Sequence, residues 1–243
     1  MDEQVDRLVT KLERKLAALP PSERLLIAIS GIPGSGKTTL ASTVVRHLNA
    51  RQAKLGEGVS YEPIAAFIPM DGYHLSRAQL SAMPNAEEAH SRRGAEFTFD
   101  GASFLTLVRA VRKQARDSMT VYAPSFDHAV KDPKANDLPI HASARIIVFE
   151  GNYLSLDRKP WNEAAALMDE SWFVDVALET ARRRLVERHV SSGICKDVEE
   201  ADRRARENDL VNGKEILSNR IAGISETIRS REDEAWHPKT QEF

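Results

Sequence analysis

The sequence predicts an α/β protein, a doubly wound and mainly parallel sheet with flanking helices. Three observations predict it. Short runs that stay apolar throughout recur along the chain: "LLIAIS" (25–30), "IAAFIPM" (64–70), "RIIVFE" (145–150) and "SWFVDVA" (171–177). A strand buried on both faces reads as such a run rather than as an alternation. Helical stretches separate the runs, as βαβ units require. The chain has 243 residues, 42% hydrophobic and 29% charged, which is the size and mixture of one domain with a buried core.

In chain order, Val5, Leu8, Val9, Leu12, Leu16 and Leu19 recur at helical spacing, so residues 1–21 form an amphipathic helix that Pro20 and Pro21 end. Its apolar stripe suits either the flank of its own domain or a partner. The main domain is expected over 22–243. Strand 25–30 runs into a glycine-rich turn, and the helix "TTLASTVVRHLNARQ" follows. After strand 64–70 comes "SRAQLSAMPNAEEAHSRRGAEFTFD" (76–100), which lacks sustained periodicity. It is too long for an idle connection and reads as a ligand-covering insertion, with Phe97 and Phe99 as anchors. The helix "GASFLTLVRAVRKQARD", strands 145–150 and 171–177, and the helix "ETARRRLVERHVSSG" complete the pattern. Ligands of such sheets bind at the carboxyl ends of the strands. The glycine-rich turn, Asp71 and Glu150 all fall there.

Net charge is -2 with no basic tail, which argues against a nucleic-acid partner. No apolar run approaches the roughly 20 residues of a membrane span, and the charged N-terminus is not a signal peptide. Cys195 is the only cysteine, so no internal disulfide forms and a reducing cytoplasmic setting is expected. The oligomeric state is not legible.

The turn reads Gly31-Ile32-Pro33-Gly34-Ser35-Gly36-Lys37-Thr38 and matches G-x-x-x-x-G-K-[ST], between a buried strand and a helix. Glycines let backbone amides converge on phosphate oxygens, helped by the positive end of the next helix. Lys37 is expected to reach the β- and γ-phosphates of ATP and Thr38 to hold Mg²⁺; Thr39 completes the turn. Asp71 in "PMDGYHLSR" ends a strand beside this loop, where a carboxylate can take the proton of an acceptor hydroxyl. Glu150 in "VFEGNY" suits a metal-bound water.

These motifs occur in the order found in a known family. "GIPGSGKTT", "MDGYH", "RRGAEFTFD", "VYAPSFDHAVKDP" and "VFEGNYL" resemble the P-loop kinases that include uridine kinase, phosphoribulokinase and type I pantothenate kinase. The likeness runs from about Leu25 to about Ile224. It is strongest to a nucleoside- or sugar-kinase-like subgroup, and it implies a P-loop NTPase fold with a helical lid at about 180–195. The resemblance implies that Asp71 is the catalytic base, and that His74, Arg93, Asp100, Tyr122, Asp127 and His128 line the acceptor site. It implies that Arg184 and Arg188, four apart on one helix face, are lid arginines that neutralise the transferring phosphate. It also implies that Asn212 and Gly213 in "ENDLVNGKEI" border the adenine. Where uridine kinases carry an aromatic residue, this chain has His74; where they read tyrosine–aspartate–phenylalanine, it has Tyr122-Ala123-Pro124.

The reading is an ATP- and Mg²⁺-dependent enzyme that phosphorylates a hydroxyl of a small metabolite: nucleoside-like, a sugar or sugar acid, or pantothenate-like. The alternative is an inactive ATP-binding or regulatory module. A regulatory GTPase would need N-K-x-D and D-x-x-G motifs that the chain lacks.

Overall fold

The computed structural model describes residues 2–55, 62–114, 119–127 and 129–231; His128 lies outside them. Five parallel strands form the central sheet: β1 (Leu25–Gly31), β2 (Ala65–Pro69), β5 (Ile146–Gly151), β6 (Glu170–Asp175) and β7 (Glu226–Arg229), in the order β2-β5-β1-β6-β7. The connecting elements are α1 (Asp2–Ala18), α2 (Lys37–Leu55), α3 (Arg77–Ser81), α4 (Ala86–Ser91), α5 (Gly101–Lys113), α6 (Trp161–Ala165), α7 (Leu178–Ser191), α8 (Val198–Arg204) and α9 (Leu210–Ser218). Strands β3 (Val121–Asp127) and β4 (Asp132–Ile140) form a separate antiparallel hairpin.

Alternation along the buried strands feeds two cores. Leu25, Ile27 and Ile29 of β1 face α1 and α2, whereas Leu26 and Ala28 face the cluster that α5 and α6 complete. The same split places Ile146 and Val148 on one face and Ile147 and Phe149 on the other. Each of these strands is therefore apolar throughout, as the runs in the sequence indicated.

The stripe on α1 is buried in its own domain. Val5, Leu8, Val9 and Leu12 are fully covered by the first of these cores, each worth on the order of 2 kcal/mol. Lys11 and Lys15 both pair with the buried Glu170, and Lys11 and Arg7 pair with Glu226. Burial alone would raise the Glu170 carboxyl, but hydrogen bonds led by Lys11 and Lys15 outweigh it and hold it at about 2.

Several elements were not foreseen, among them the β3–β4 hairpin, the short helices α3, α4, α6, α8 and α9, and strand β7. The insertion at 76–100 is ordered. Ser76 and Gln79 form a capping box at the start of α3. Phe99 anchors it at 8% exposure, but Phe97 does not, being 44% exposed. Leu80, Ala89 and Ala95 are buried as well, and polar contacts add to the anchoring: Tyr153 donates to the Gly94 carbonyl at 2.7 Å, and the Trp161 indole donates to Glu96 at 2.7 Å.

Candidate active site

Strand β1 is central, and the glycine loop leaves its carboxyl end. Gly34 and Gly36 take φ of 79° and 87°, a region that side chains avoid. Gly34 also abuts α7: a Cβ there would lie 2.7 Å from the Ala181 carbonyl oxygen. Ile32 and Pro33 are buried, so Ile32 serves the core with its side chain and leaves only backbone for a ligand. Gly36 and Thr38 are exposed on either side of the buried Lys37, while Ser35 and Thr39 are buried.

Glu150 ends β5, in register with Ile29 of β1 and Pro69 of β2. That register puts its carboxylate between the loop and the residues following β2. Thr38 Oγ1 donates to Glu150 Oε1 at 3.1 Å, and Lys37 Nζ lies 3.8 Å from the same oxygen. Burial pushes the Glu150 carboxyl up to about 7, against the pull of Lys37 and the Thr38 hydrogen bond. Burial likewise pulls the Lys37 ammonium below its ordinary value, despite Glu150 and Asp71. Each group is thus more desolvated than its partner compensates, which suits a site completed by further charges. Thr38 and Glu150 fit a hard divalent cation that takes its other oxygens from phosphates and water. Among the described residues no group of three or more His, Cys, Asp or Glu could hold a metal ion by itself.

Asp71 stands in a 3₁₀ turn, Met70–Tyr73, directly after β2, with its side chain 52% exposed. Its charge acts on both Lys37 and Glu150. Gly72 follows because the hairpin passes close: a Cβ there would lie 2.1 Å from the Pro124 carbonyl oxygen. His74 donates from Nδ1 to the Asp71 carbonyl at 2.9 Å, and its ring packs on Phe99 and Phe126 at centroid distances of 4.0 and 5.0 Å.

The two arginines expected in a lid, Arg184 and Arg188, have different surroundings. Arg188 is exposed, and its charge acts on Lys37 and Glu150. Arg184 instead grips the loop from α7, donating to the Gly34 carbonyl at 3.3 Å, the Ser230 hydroxyl at 2.8 Å and the Arg231 carbonyl at 3.2 Å. Ser230 and Arg231, just past β7, were not anticipated near the loop. Only the unforeseen strand brings them there.

Several expected acceptor residues are committed to the fold. Arg93 donates to the Lys131 and Leu75 carbonyls and pairs with Asp132 at 3.1 Å, tying the insertion to the hairpin. Asp127 Oδ1 accepts the amides of Ala129 and Val130 at the hairpin turn. Asp100 caps α5 through the amide and hydroxyl of Ser103. Asn212 is 1% exposed and accepts from Arg92 at 2.6 Å, and Gly213 packs on Ile32. Gly213 thereby supports the loop residue Ile32 from behind, and Asn212 ties to the insertion through Arg92.

Gly72, His74, Asp100 and Tyr122 do meet at one place, a cavity of about 470 Å³ between α5, the residues after Asp71 and the hairpin. A second junction escaped the sequence entirely. His189 of α7, 3% exposed, lies with Nε2 2.9 Å from Asp209 Oδ2. Asp209 ends a π-helical turn, Ala205–Asp209, whose Asn208 accepts from Arg92 and donates to the Arg93 carbonyl. Helix α7 and the insertion are therefore fastened to the same turn.

The chain is similar to known proteins along most of its length. The profile of the Phosphoribulokinase / Uridine kinase family matches residues 26–200. The ATP-dependent kinase-like protein notR' of Aspergillus versicolor is 56% identical over 153 residues, 63% of this chain and 89% of its own. Uridine kinase C227.14, so named in Schizosaccharomyces pombe, is 40% identical over 199 residues, 82% of this chain and 80% of its own. Among solved structures, a protein described as a fructose transport system kinase from Silicibacter sp. TM1040 superposes with a TM-score of 0.75. It is 32% identical, and the match covers 90% of this chain and 98% of that one.

Proposed function

The chain belongs to the phosphoribulokinase/uridine kinase family, and from that premise we propose that it transfers the γ-phosphate of ATP to a hydroxyl of a small metabolite. The observation that carries this is the meeting of Lys37, Thr38, Glu150 and Asp71 at adjacent strand ends, with Arg188 acting on the same charges.

In this reading the loop amides and Lys37 hold the phosphates, and Thr38 with Glu150 holds Mg²⁺. The bound ion would neutralise charge on the β- and γ-phosphoryl oxygens. Asp71 accepts the proton of the acceptor hydroxyl as its oxygen bonds to the γ-phosphorus. The bond from that phosphorus to the bridging oxygen breaks, and ADP leaves with the electron pair. Transfer of this kind depends on alignment and charge stabilisation more than on the strength of the base. Lys37 and Arg188 carry the charge stabilisation. Arg184 keeps the loop in shape, and the cavity bordered by His74, Asp100 and Tyr122 receives the acceptor. Cytoplasmic placement is part of this reading, and the lone cysteine, Cys195, buried and free, is in keeping with it.

The test is ADP formation from Mg-ATP across a panel of hydroxyl acceptors, with Lys37→Ala and Asp71→Asn beside the wild type. Acceptor-dependent turnover that both substitutions abolish supports the kinase. Tight ATP binding with no acceptor-dependent turnover overturns it in favour of a binding module.

A further inference from the structure

The cavity that Gly72 borders has a chemistry of its own. Among the described residues its polar lining is His74, Gln79, Asp100, Ser103, Thr106, Asn136 and Tyr122, and neither a lysine nor an arginine lines it. The nearby cations are committed elsewhere: Arg77 and Arg93 both pair with Asp132, at 3.3 and 3.1 Å. Among the described residues Asp100 is the one acidic group on the wall; Ser103 donates to both of its oxygens, their remaining lone pairs can accept from hydroxyls, and its charge would repel an anionic acceptor. Ser103, Thr106, Asn136 and Gln79 are exposed and present hydroxyl and amide groups, a set matched to several hydroxyls at once.

The aromatic surfaces point the same way. The side chain of His74 is only 13% exposed and its ring already packs on Phe99 and Phe126, so it offers little open face to a flat base. One aromatic ring remains open in the cavity, that of Tyr122 at 51% exposure. A single exposed ring beside Leu107, Ala110 and Pro124 offers the apolar platform on which the C–H face of a sugar rests, with polar groups around it.

We infer that the acceptor is an uncharged sugar or polyol seated in this cavity between α5 and the β3–β4 hairpin, rather than a nucleoside or a phosphorylated or carboxylated compound. This rests on the kinase reading above, because the cavity adjoins Asp71 through Gly72.

The experiment compares neutral acceptors (D-fructose, D-ribose, sorbitol) with uridine, D-glycerate and ribulose 5-phosphate in an acceptor-dependent ADP assay. Wild type is set beside Ala110→Trp and Tyr122→Ala. Ala110 is exposed on α5, so the indole fills the cavity without entering the core. The expected result is turnover with a neutral sugar or polyol. Ala110→Trp and Tyr122→Ala should each raise the KM for that acceptor ~10-fold or more and leave the KM for ATP unchanged. Turnover confined to uridine or to an anionic acceptor overturns the inference and leaves the kinase standing. So does sugar turnover that neither substitution changes. Silence with every acceptor, while Mg-ATP still binds, overturns the kinase reading and this one together.

Discussion

Thr38 and Glu150 are joined by a 3.1 Å hydrogen bond although 112 residues separate them. The parallel register of β1 and β5 brings them together, and Lys37 completes the group at 3.8 Å. Because burial raises Glu150 to about 7 from 4.5, this group is sensitive to pH near neutrality. A carboxyl raised in the folded state stabilises the fold fully below its ordinary value, and that contribution is lost as pH rises through 7. Cation binding runs the other way, since it requires the carboxylate. Between pH 6 and 8 the affinity for Mg-ATP should therefore rise about tenfold. Glu150→Gln should flatten that rise, weaken binding and make the free protein more resistant to heat at pH 8. Calorimetric titrations and melting curves of both proteins at the two pH values check this; a parallel pH slope in the variant refutes it.

Asp71→Asn is expected to lower kcat by ~10²–10⁴-fold, the usual contribution of a positioned base. The side chain is half exposed, and the His74 hydrogen bond goes to the Asp71 carbonyl at 2.9 Å with the carboxylate 3.9 Å away, so the melting temperature and the KM for ATP should stay near wild type. A variant that loses ATP affinity instead would assign Asp71 to the nucleotide.

Arg184 and Arg188 should separate kinetically despite sharing a helix face. Arg188→Ala removes a charge acting on the phosphate group and should cut kcat by ~10²–10³-fold. Arg184→Gln releases Gly34 and Ser230 and should instead raise the KM for ATP, by roughly tenfold, with a smaller effect on kcat. Equal kcat losses from both would contradict the division of labour.

Gly72→Ala forces a methyl group to 2.1 Å from the Pro124 carbonyl oxygen. The hairpin must shift, at about 1–3 kcal/mol. A lower melting temperature and a raised acceptor KM, with ATP binding intact, are expected; an unchanged melting curve would refute the close approach.

His189→Asn breaks the contact between α7 and Asp209. It should loosen the lid and raise unproductive ATP hydrolysis, because a poorly closed site admits water. The ratio of ADP formed to acceptor phosphorylated, measured for both proteins, checks this; a ratio equal to wild type refutes it.

The sequence by itself determined the sheet strands at 25–30, 64–70, 145–150 and 171–177, the glycine loop and the carboxylates at two strand ends. Each of these is a local pattern: an unbroken apolar run, a glycine spacing, or an acidic residue where such a run stops. The stripe on α1 was also legible, but not its destination, since the partners Glu170 and Glu226 lie far along the chain. Tertiary structure alone decided the rest. Strand β7 is four residues long, with one side chain buried, too short for periodicity to register. The hairpin carries Pro124, Pro133 and Pro139 and a register break between Ala123 and Ser125, so it lacks a clean alternation. Motif position also could not distinguish a residue that faces a ligand from one that braces the fold. Arg93, Asp127 and Asn212 lie in the expected segments, yet each also makes a contact that holds the fold, with Asp132, the hairpin turn and Arg92 respectively. Which hydrogen-bonding groups remain available is a property of the packed chain, and no linear pattern encodes it.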